Sequence, residues 1–266
     1  MFIFVLQAFF TNTAHASGIT RPLSVRQFGM GYIVLSGQPD PLLLFASPVS
    51  IAAIDGWSAG SFYSRLFNLK DLSLTAFAGG KRFGRWVVGV GGSHFGFELF
   101  REQNLTLAAA YRLSAQFQWG VSLRYHRLSI KNYGGSGTIS ADAGWTYSIT
   151  PNARLSGTLQ NLNRAKIGAG DDALPQSFRM GFQFSPVDGV MAAAEIFKEL
   201  DFHPETRFGI EVETFPVLKV RAGVTRTPAR FTGGFSLLIL GGSIDYGFSH
   251  HNVLGYTHAV GIVLSR

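Results

Sequence analysis

The side chains whose types could do chemistry are His94, His126, His203, His250, His251 and His258, together with Asp142 and Asp245. His126 follows Ser122 and Arg124 at steps of two, so on an extended strand all three share a face. That is half of an arrangement in which an imidazole takes a proton from a hydroxyl. The other half, an orienting acid and an oxyanion site, does not follow from spacing. No H-E-x-x-H, G-x-S-x-G or phosphate-loop pattern occurs. The residues therefore read as a hydrated histidine on a polar strand face, with no enzymatic activity, no cofactor and no metal expected. His250-His251 falls in a connection and reads as solvated. Cysteine is absent, which excludes a thiol nucleophile, a thiolate metal site and a disulfide framework.

The elements that must position these residues are strands. Charged residues make up 15% of the chain, against a globular norm of about 25%, while Gly (32) and Phe (24) are abundant. No run of eighteen apolar residues exists, so no helix is long and apolar enough to cross a membrane. Apolar character instead alternates with period two. Phe178, Met180, Phe182 and Phe184 interleave with Arg179, Gly181 and Gln183, and the segments from Arg207 to Glu213, Leu218 to Thr225 and Ser243 to Ser249 repeat the pattern. Such alternation puts one strand face in an apolar medium and the other in a polar one. A soluble sandwich would also alternate, but here the pattern runs over nearly the whole chain in stretches of about ten residues, with aromatic residues near their ends, as a membrane barrel requires.

The expected fold class is all-β: a transmembrane antiparallel β-barrel of about fourteen strands over residues 58–266. The aromatic residues Phe62, Tyr63, Phe67, Phe83, Trp86, Tyr111, Trp119, Tyr133, Trp145, Tyr147 and Tyr246 are expected in two interfacial girdles. Alternate connections are expected to be short, as at Thr150-Pro151-Asn152 and Phe215-Pro216. The others are expected to be longer, as from Gly96 to Glu102 and from Asn161 to Leu174, with a tight exception at Asn68-Leu69. That asymmetry is the one between periplasmic turns and outer loops of a Gram-negative-type outer membrane.

Residues 1–16 read as a signal peptide, an apolar run from Phe2 to Phe10 followed by Ala14-His15-Ala16. Residues 17–57 do not alternate and hold Pro22, Pro39, Pro41 and Pro48, which central ladder positions exclude. This segment is expected to pack inside the barrel near its periplasmic end as a plug.

The formal charge of +7 raises nucleic acid as a partner. The basic residues, Arg65, Lys81, Arg101, Arg124, Arg154, Arg179, Lys219 and Arg221, recur singly and form no run, so nucleic acid is excluded and the partners expected are outer-membrane lipids. On the polar strand faces Arg124, His126, Asp142, Arg179, Glu195, Arg207, Glu211, Glu213, Lys219, Arg221 and Asp245 are expected to line the lumen. Opposite signs there sit on neighbouring strands and should pair across the interior.

Leu174 to Gly181, Glu205 to Glu211, Val220 to Val224, Ile244 to His250 and Leu254 to His258 resemble the PorV/PorQ family of outer-membrane barrels, within the set similar to FadL-type transporters. Phe28-Gly29-Met30-Gly31, Gln38-Pro39-Asp40 and the turn around Pro48 echo the family's inner segment. The resemblance implies a fourteen-stranded barrel with an internal N-terminal plug. It further implies a part in protein secretion or surface attachment of the type IX kind, with secretion components or exported cargo as partners. The alternative it leaves open is a FadL-like conduit for hydrophobic small molecules.

Overall fold

The computed structural model describes residues 21–34, 36–168 and 172–266. The leader read over residues 1–16 lies outside them. Strands β1 (Trp57–Arg65), β2 (Ser73–Phe83), β3 (Trp86–Phe97), β4 (Phe100–Arg112), β5 (Phe117–Ile130), β6 (Gly134–Thr150) and β7 (Ala153–Gln160) form one half of a sheet. After a small ribbon, β8 (Lys166–Ile167) and β9 (Asp172–Ala173), come β10 (Ser177–Val187), β11 (Val190–Glu199), β12 (Glu205–Phe215), β13 (Leu218–Arg226), β14 (Arg230–Ile239), β15 (Gly242–His251) and β16 (Gly255–Ser265). Each pairs with its neighbour antiparallel, β7 with β10, and β1 closes on β16, giving a fourteen-stranded barrel.

Period-two alternation decides the two faces. Phe178, Phe182, Phe208, Val220 and Ile244 are exposed on the outside, whereas Arg179, Arg207, Arg221 and Asp245 are buried inside. The exterior is therefore a belt that only lipid can solvate. At one end Trp86, Tyr111 and Trp119 stack across three strands, with ring centroids 4.7, 6.0 and 5.8 Å apart. Trp145, opposite Trp119 in the ladder, extends this girdle. Phe62 does not belong to one: it is 2% exposed and points inward. Position rather than residue type decides, because Phe62 shares its face with Ser58, Gly60 and Ser64.

The connections 84–85, 113–116, 151–152, 188–189, 216–217 and 240–241 are short and lie at the girdle end, with both ends of the barrel sheet. At the opposite end run 66–72, 131–133, 161–176 and 200–204. Three expectations change here. His250 and His251, expected in a connection, are instead the last paired residues of β15. The first connection is not tight: it makes two short 3-10 turns with Phe67 and Asn68 at positive φ. The β3–β4 connection, expected to be long, is only 98–99, because both strands continue further than their alternation suggests.

Residues 21–34 and 36–56 run inside the barrel. They form helix α1 (Val25–Gly29), capped by Ser24, and two 3-10 helices, Pro41–Phe45 and Pro48–Ala53, each opened by a proline whose missing N–H costs nothing there. Leu42, Leu43, Leu44, Ile51 and Ile54 are almost fully buried. Each contributes about 1.5–3 kcal/mol on leaving water. The segment is not confined to the short-turn end: Arg21 meets Glu102, and Tyr32 meets Ser249, both in the half of the barrel nearer the longer loops. It reaches that height because inward-facing glycines leave room for its backbone. A Cβ on Gly223 would lie 2.2 Å from Gly31 N, one on Gly209 2.7 Å from the Met30 carbonyl, and one on Gly120 2.8 Å from Val49 N.

Gly223→Ala is therefore expected to displace residues 30–31 and destabilise the barrel by about 1–3 kcal/mol, the usual cost of overpacking. Gly92→Ala, with no atom nearer than 3.8 Å, should be neutral. Thermal unfolding of both variants in detergent micelles checks this.

Candidate functional site: the occupied lumen

The inward charges pair along the ladder. Arg207 and Glu195 are register partners on β12 and β11, with Nη1 donating to Oε1 at 2.9 Å, and Arg207 Nη2 donates to Glu205 at 2.8 Å. Phe197 lies between Arg207 and Arg179, whose guanidinium carbons stand 4.3 and 4.9 Å from its ring. Glu211 receives Arg221, its register partner, and also Arg26 from α1, whose Nε and Nη2 donate at 2.8 and 2.6 Å. Arg221 lies 3.7 Å from Asp245, which accepts from Ser236 and from Ser243. Glu213 and Lys219 pair at 3.2 Å but stand partly exposed at the short-turn rim, outside this buried group.

The same wall holds the inner segment's backbone. Glu195 accepts from Val34 N at 3.0 Å, Arg207 donates to the Tyr32 carbonyl at 3.0 Å, and Thr232 bridges Gly31 N and the Gly29 carbonyl. Phe28 and Met30 are buried beside these contacts, and Gly31 is at φ +67, where a side chain would be strained. Asp40 accepts from Leu42 N and Ser24 Oγ, capping the first 3-10 helix. Pro48 opens the second, with its carbonyl carbon against Gly120.

The lumen is thus divided. The β10–β15 side is joined to the segment by the Arg26–Glu211 ion pair and by hydrogen bonds to its backbone. The β1–β4 side packs Leu42, Leu44, Phe45, Ile51 and Ile54 against Leu74, Ala76, Ala78, Val87, Ala108 and Ala110 in one apolar cluster.

A cavity of about 100 Å³ opens toward the longer loops. Its floor is Leu23 and Phe45 of the inner segment, and Leu74 and Phe95 continue the apolar side upward. Ile167 and Leu174, from the 161–176 connection, roof it. The opposite arc is polar. Arg124 donates to Asp142 at 3.0 Å and to the Phe45 carbonyl at 2.6 Å. Asp142 also accepts from Ser122 and from Asn161 N, so both carboxylate oxygens are committed. His126 Nε2 meets Ser140 Oγ at 2.8 Å, and Asp142 is turned to Arg124 rather than to this pair. The histidine and serine are thus a polar contact in the cavity wall. A second cavity, of about 370 Å³, opens at the other end and is lined by Arg26, Gln38, Asp40, Lys219 and Ser243.

Arg21, Arg26 and Glu205 take part in these contacts without having stood out in the sequence. Glu205 opens the alternating stretch of β12 and is readable from it, whereas Arg21 and Arg26 sit in a segment with no period to place them. Below them, Asp55 at the exit to β1 accepts from Arg112 and Arg82, each at 2.8 Å. The Arg112 hydrogen bond, more than the Arg82 charge, holds its carboxyl below the usual range.

A closed barrel with an apolar exterior and a chain segment in its lumen defines the class, a membrane-spanning β-barrel with an occupied interior. Three solved structures share the fold. The P. putida toluene transporter TodX superposes with TM-score 0.70 at 11% identity, covering 90% of this chain and 97% of its own. The CymD monoaromatic hydrocarbon channel gives 0.67 at 14% identity over 94% and 99%. A Pseudomonas aeruginosa FadL homologue gives 0.63 at 11% identity over 94% and 97%. No protein-family model matches the chain, and no curated protein does. The fold is that of a FadL-like outer-membrane β-barrel, and these structures bear the FadL side of the sequence resemblance without naming PorV or PorQ.

Two expectations follow. Glu211→Gln leaves Arg26 and Arg221 buried without their shared carboxylate and should cost about 3–5 kcal/mol, read by thermal unfolding. Replacing Arg26 with Gln as well should recover part of the loss. Because the Asp55 value is depressed on folding, its contribution is present above its unfolded pKa of about 4 and fades as pH falls through the folded value. Protease protection of the 55–57 junction should then favour wild type over Asp55→Asn at pH 7, with no difference in strong acid.

Proposed function

We propose that this protein is an outer-membrane conduit for hydrophobic small molecules, with the longer loops outside, the short turns in the periplasm and residues 21–56 acting as a plug. The observation that carries this reading is the cavity beneath the 161–176 connection. Its apolar wall, Leu74 and Phe95 above Leu23 and Phe45, is continuous with the apolar packing between the plug and β1–β4. A small hydrophobic molecule entering there meets a surface on which it is better solvated than in water. Its way onward runs along the apolar packing between the 3-10 helices and β1–β4, which a shift of those helices opens, while Arg21–Glu102 above it and Asp55 with Arg82 and Arg112 below it hold the two ends of the plug.

The solutes named for TodX and CymD, toluene and monoaromatic hydrocarbons, are the class proposed here. On the other side the Arg26–Glu211 ion pair and the bonds from Glu195, Arg207 and Arg124 to backbone atoms of Val34, Tyr32 and Phe45 anchor the plug, and Arg179, Arg221 and Asp245 complete the charge pairing within the wall. Secretion or surface attachment draws no support from these structures.

The test is uptake of radiolabelled toluene by cells with and without the chain. The intact chain should raise the initial rate, and Leu74→Glu, which places a carboxylate in the apolar wall, should lower it about tenfold or more at equal amounts of folded barrel. Uptake equal to that of cells lacking the chain would remove the reading.

A further inference from the structure

The two faces of the barrel differ in the sign of their charge. Inside, both signs are interleaved. On the outward faces of the barrel strands the charged side chains, among the described residues, are Arg65, Lys81, Arg101, Arg127, Lys198 and Arg226, all cationic. Arg65, Arg101, Arg127, Lys198 and Arg226 lie at the strand ends nearer the longer loops, and Lys81 alone lies at the other end.

Two of these cations are diagonal neighbours on adjacent strands. On the outside of β4 and β5, Arg127 is opposite Gln103, and Arg101, one outward row higher, is opposite Ser129. His94 of β3 is opposite Gln103 and completes the row. Outward placement is fixed by neighbours: Glu102 between Arg101 and Gln103 is buried inside, and Tyr125, two residues before Arg127, is exposed and lies over Gly137, the register partner of Arg127. Diagonal neighbours on an antiparallel pair stand about 7–8 Å apart, within reach of two long side chains toward one ligand. Neither arginine has a carboxylate partner among the described residues, and the nearby Glu98 is held by Lys131. Like charges so placed repel each other unless an anion lies between them.

Directly below, toward the middle of the membrane, the outward rows turn apolar. Leu105 is opposite Tyr125 and Leu107 opposite Leu123, all exposed. A guanidinium pair with Gln103, Ser129 and His94 as further donors, set over an apolar strip, matches an anionic headgroup carrying acyl chains. Planar guanidinium forks bind phosphate oxygens in pairs.

We infer that Arg101 and Arg127, with Gln103 between them, form an exterior docking site for a phosphate-bearing lipid of the outer leaflet, its phosphate held between the two guanidiniums and its chains lying on Leu105, Leu107, Leu123 and Tyr125. The site is outside the lumen and independent of solute passage.

The test is native mass spectrometry of the full chain released from detergent micelles, titrated with a bisphosphorylated, multiply acylated glucosamine disaccharide lipid and with the same lipid stripped of its phosphates. Wild type should hold the phosphorylated lipid, and the R101Q/R127Q variant should bind it about tenfold or more weakly. K81Q, altered at the opposite end, should bind like wild type. Both variants leave the inward faces untouched, and resistance of the β-barrel to heat in mild detergent confirms that each is folded. Equal binding by the double variant, or equal binding of the dephosphorylated lipid by wild type, would overturn the inference.

Discussion

The pairing of β1 with β16 is the interaction on which the remaining structure depends. In lipid an unpaired backbone N–H or C=O has no water to turn to, so a sheet can span only if it has no edge. Here the seam runs from Ser58 opposite Ser265 to Arg65 opposite His258, and beyond it Trp57 and Arg266 exchange both backbone hydrogen bonds at 3.0 Å. Closure turns the alternation of each strand into an inside and an outside for the whole molecule.

A closed wall creates a second problem, the filling of its interior. Residues 21–56 fill it with a segment that has apolar side chains and few regular hydrogen bonds of its own. Its backbone groups are met by wall side chains, among them Glu195, Arg207, Thr232 and Arg124. Those wall charges would be costly to bury alone, and each is matched within the ladder or by the segment. Arg26 is the clearest case, because Glu211 serves it and Arg221 together. Breaking such a shared pair leaves an uncompensated charge, so the segment and wall stabilise each other.

Much of this was legible in the sequence because a two-residue period leaves little freedom. The run from Phe178 to Phe184 tells lipid from lumen by itself, and the ladder order then places Glu211 against Arg221 and Glu213 against Lys219. Strand ends were less legible. β3 and β4 continue past the alternation to a two-residue connection, and the first connection, which read as tight, takes up 66–72. The inner segment carries no period, so its course through the full height of the barrel depends on where the wall has glycine, as at Gly209 and Gly223. Phe62 misleads for a related reason: a phenylalanine suits a lipid face and a packed lumen equally. The cavity was out of reach, since Leu23, Leu74, Phe95 and Leu174 come from four separated stretches of chain.

The distribution of charge carries an argument that residue order hides. Along the chain the basic residues are scattered, and Arg101, Arg124 and Arg127 read as unrelated. Folding sends Arg124 inward to Asp142 and the Phe45 carbonyl, while Arg101 and Arg127 go outward without an acid to meet them. An interior of mixed sign holds itself together; an exterior of one sign does not. The excess of positive charge is thus no diffuse property of the chain, because part of it is displayed where lipid is the only neighbour. Among the described residues the acids lie inside and in the connections, so no neighbour on the strands neutralises the outer cations.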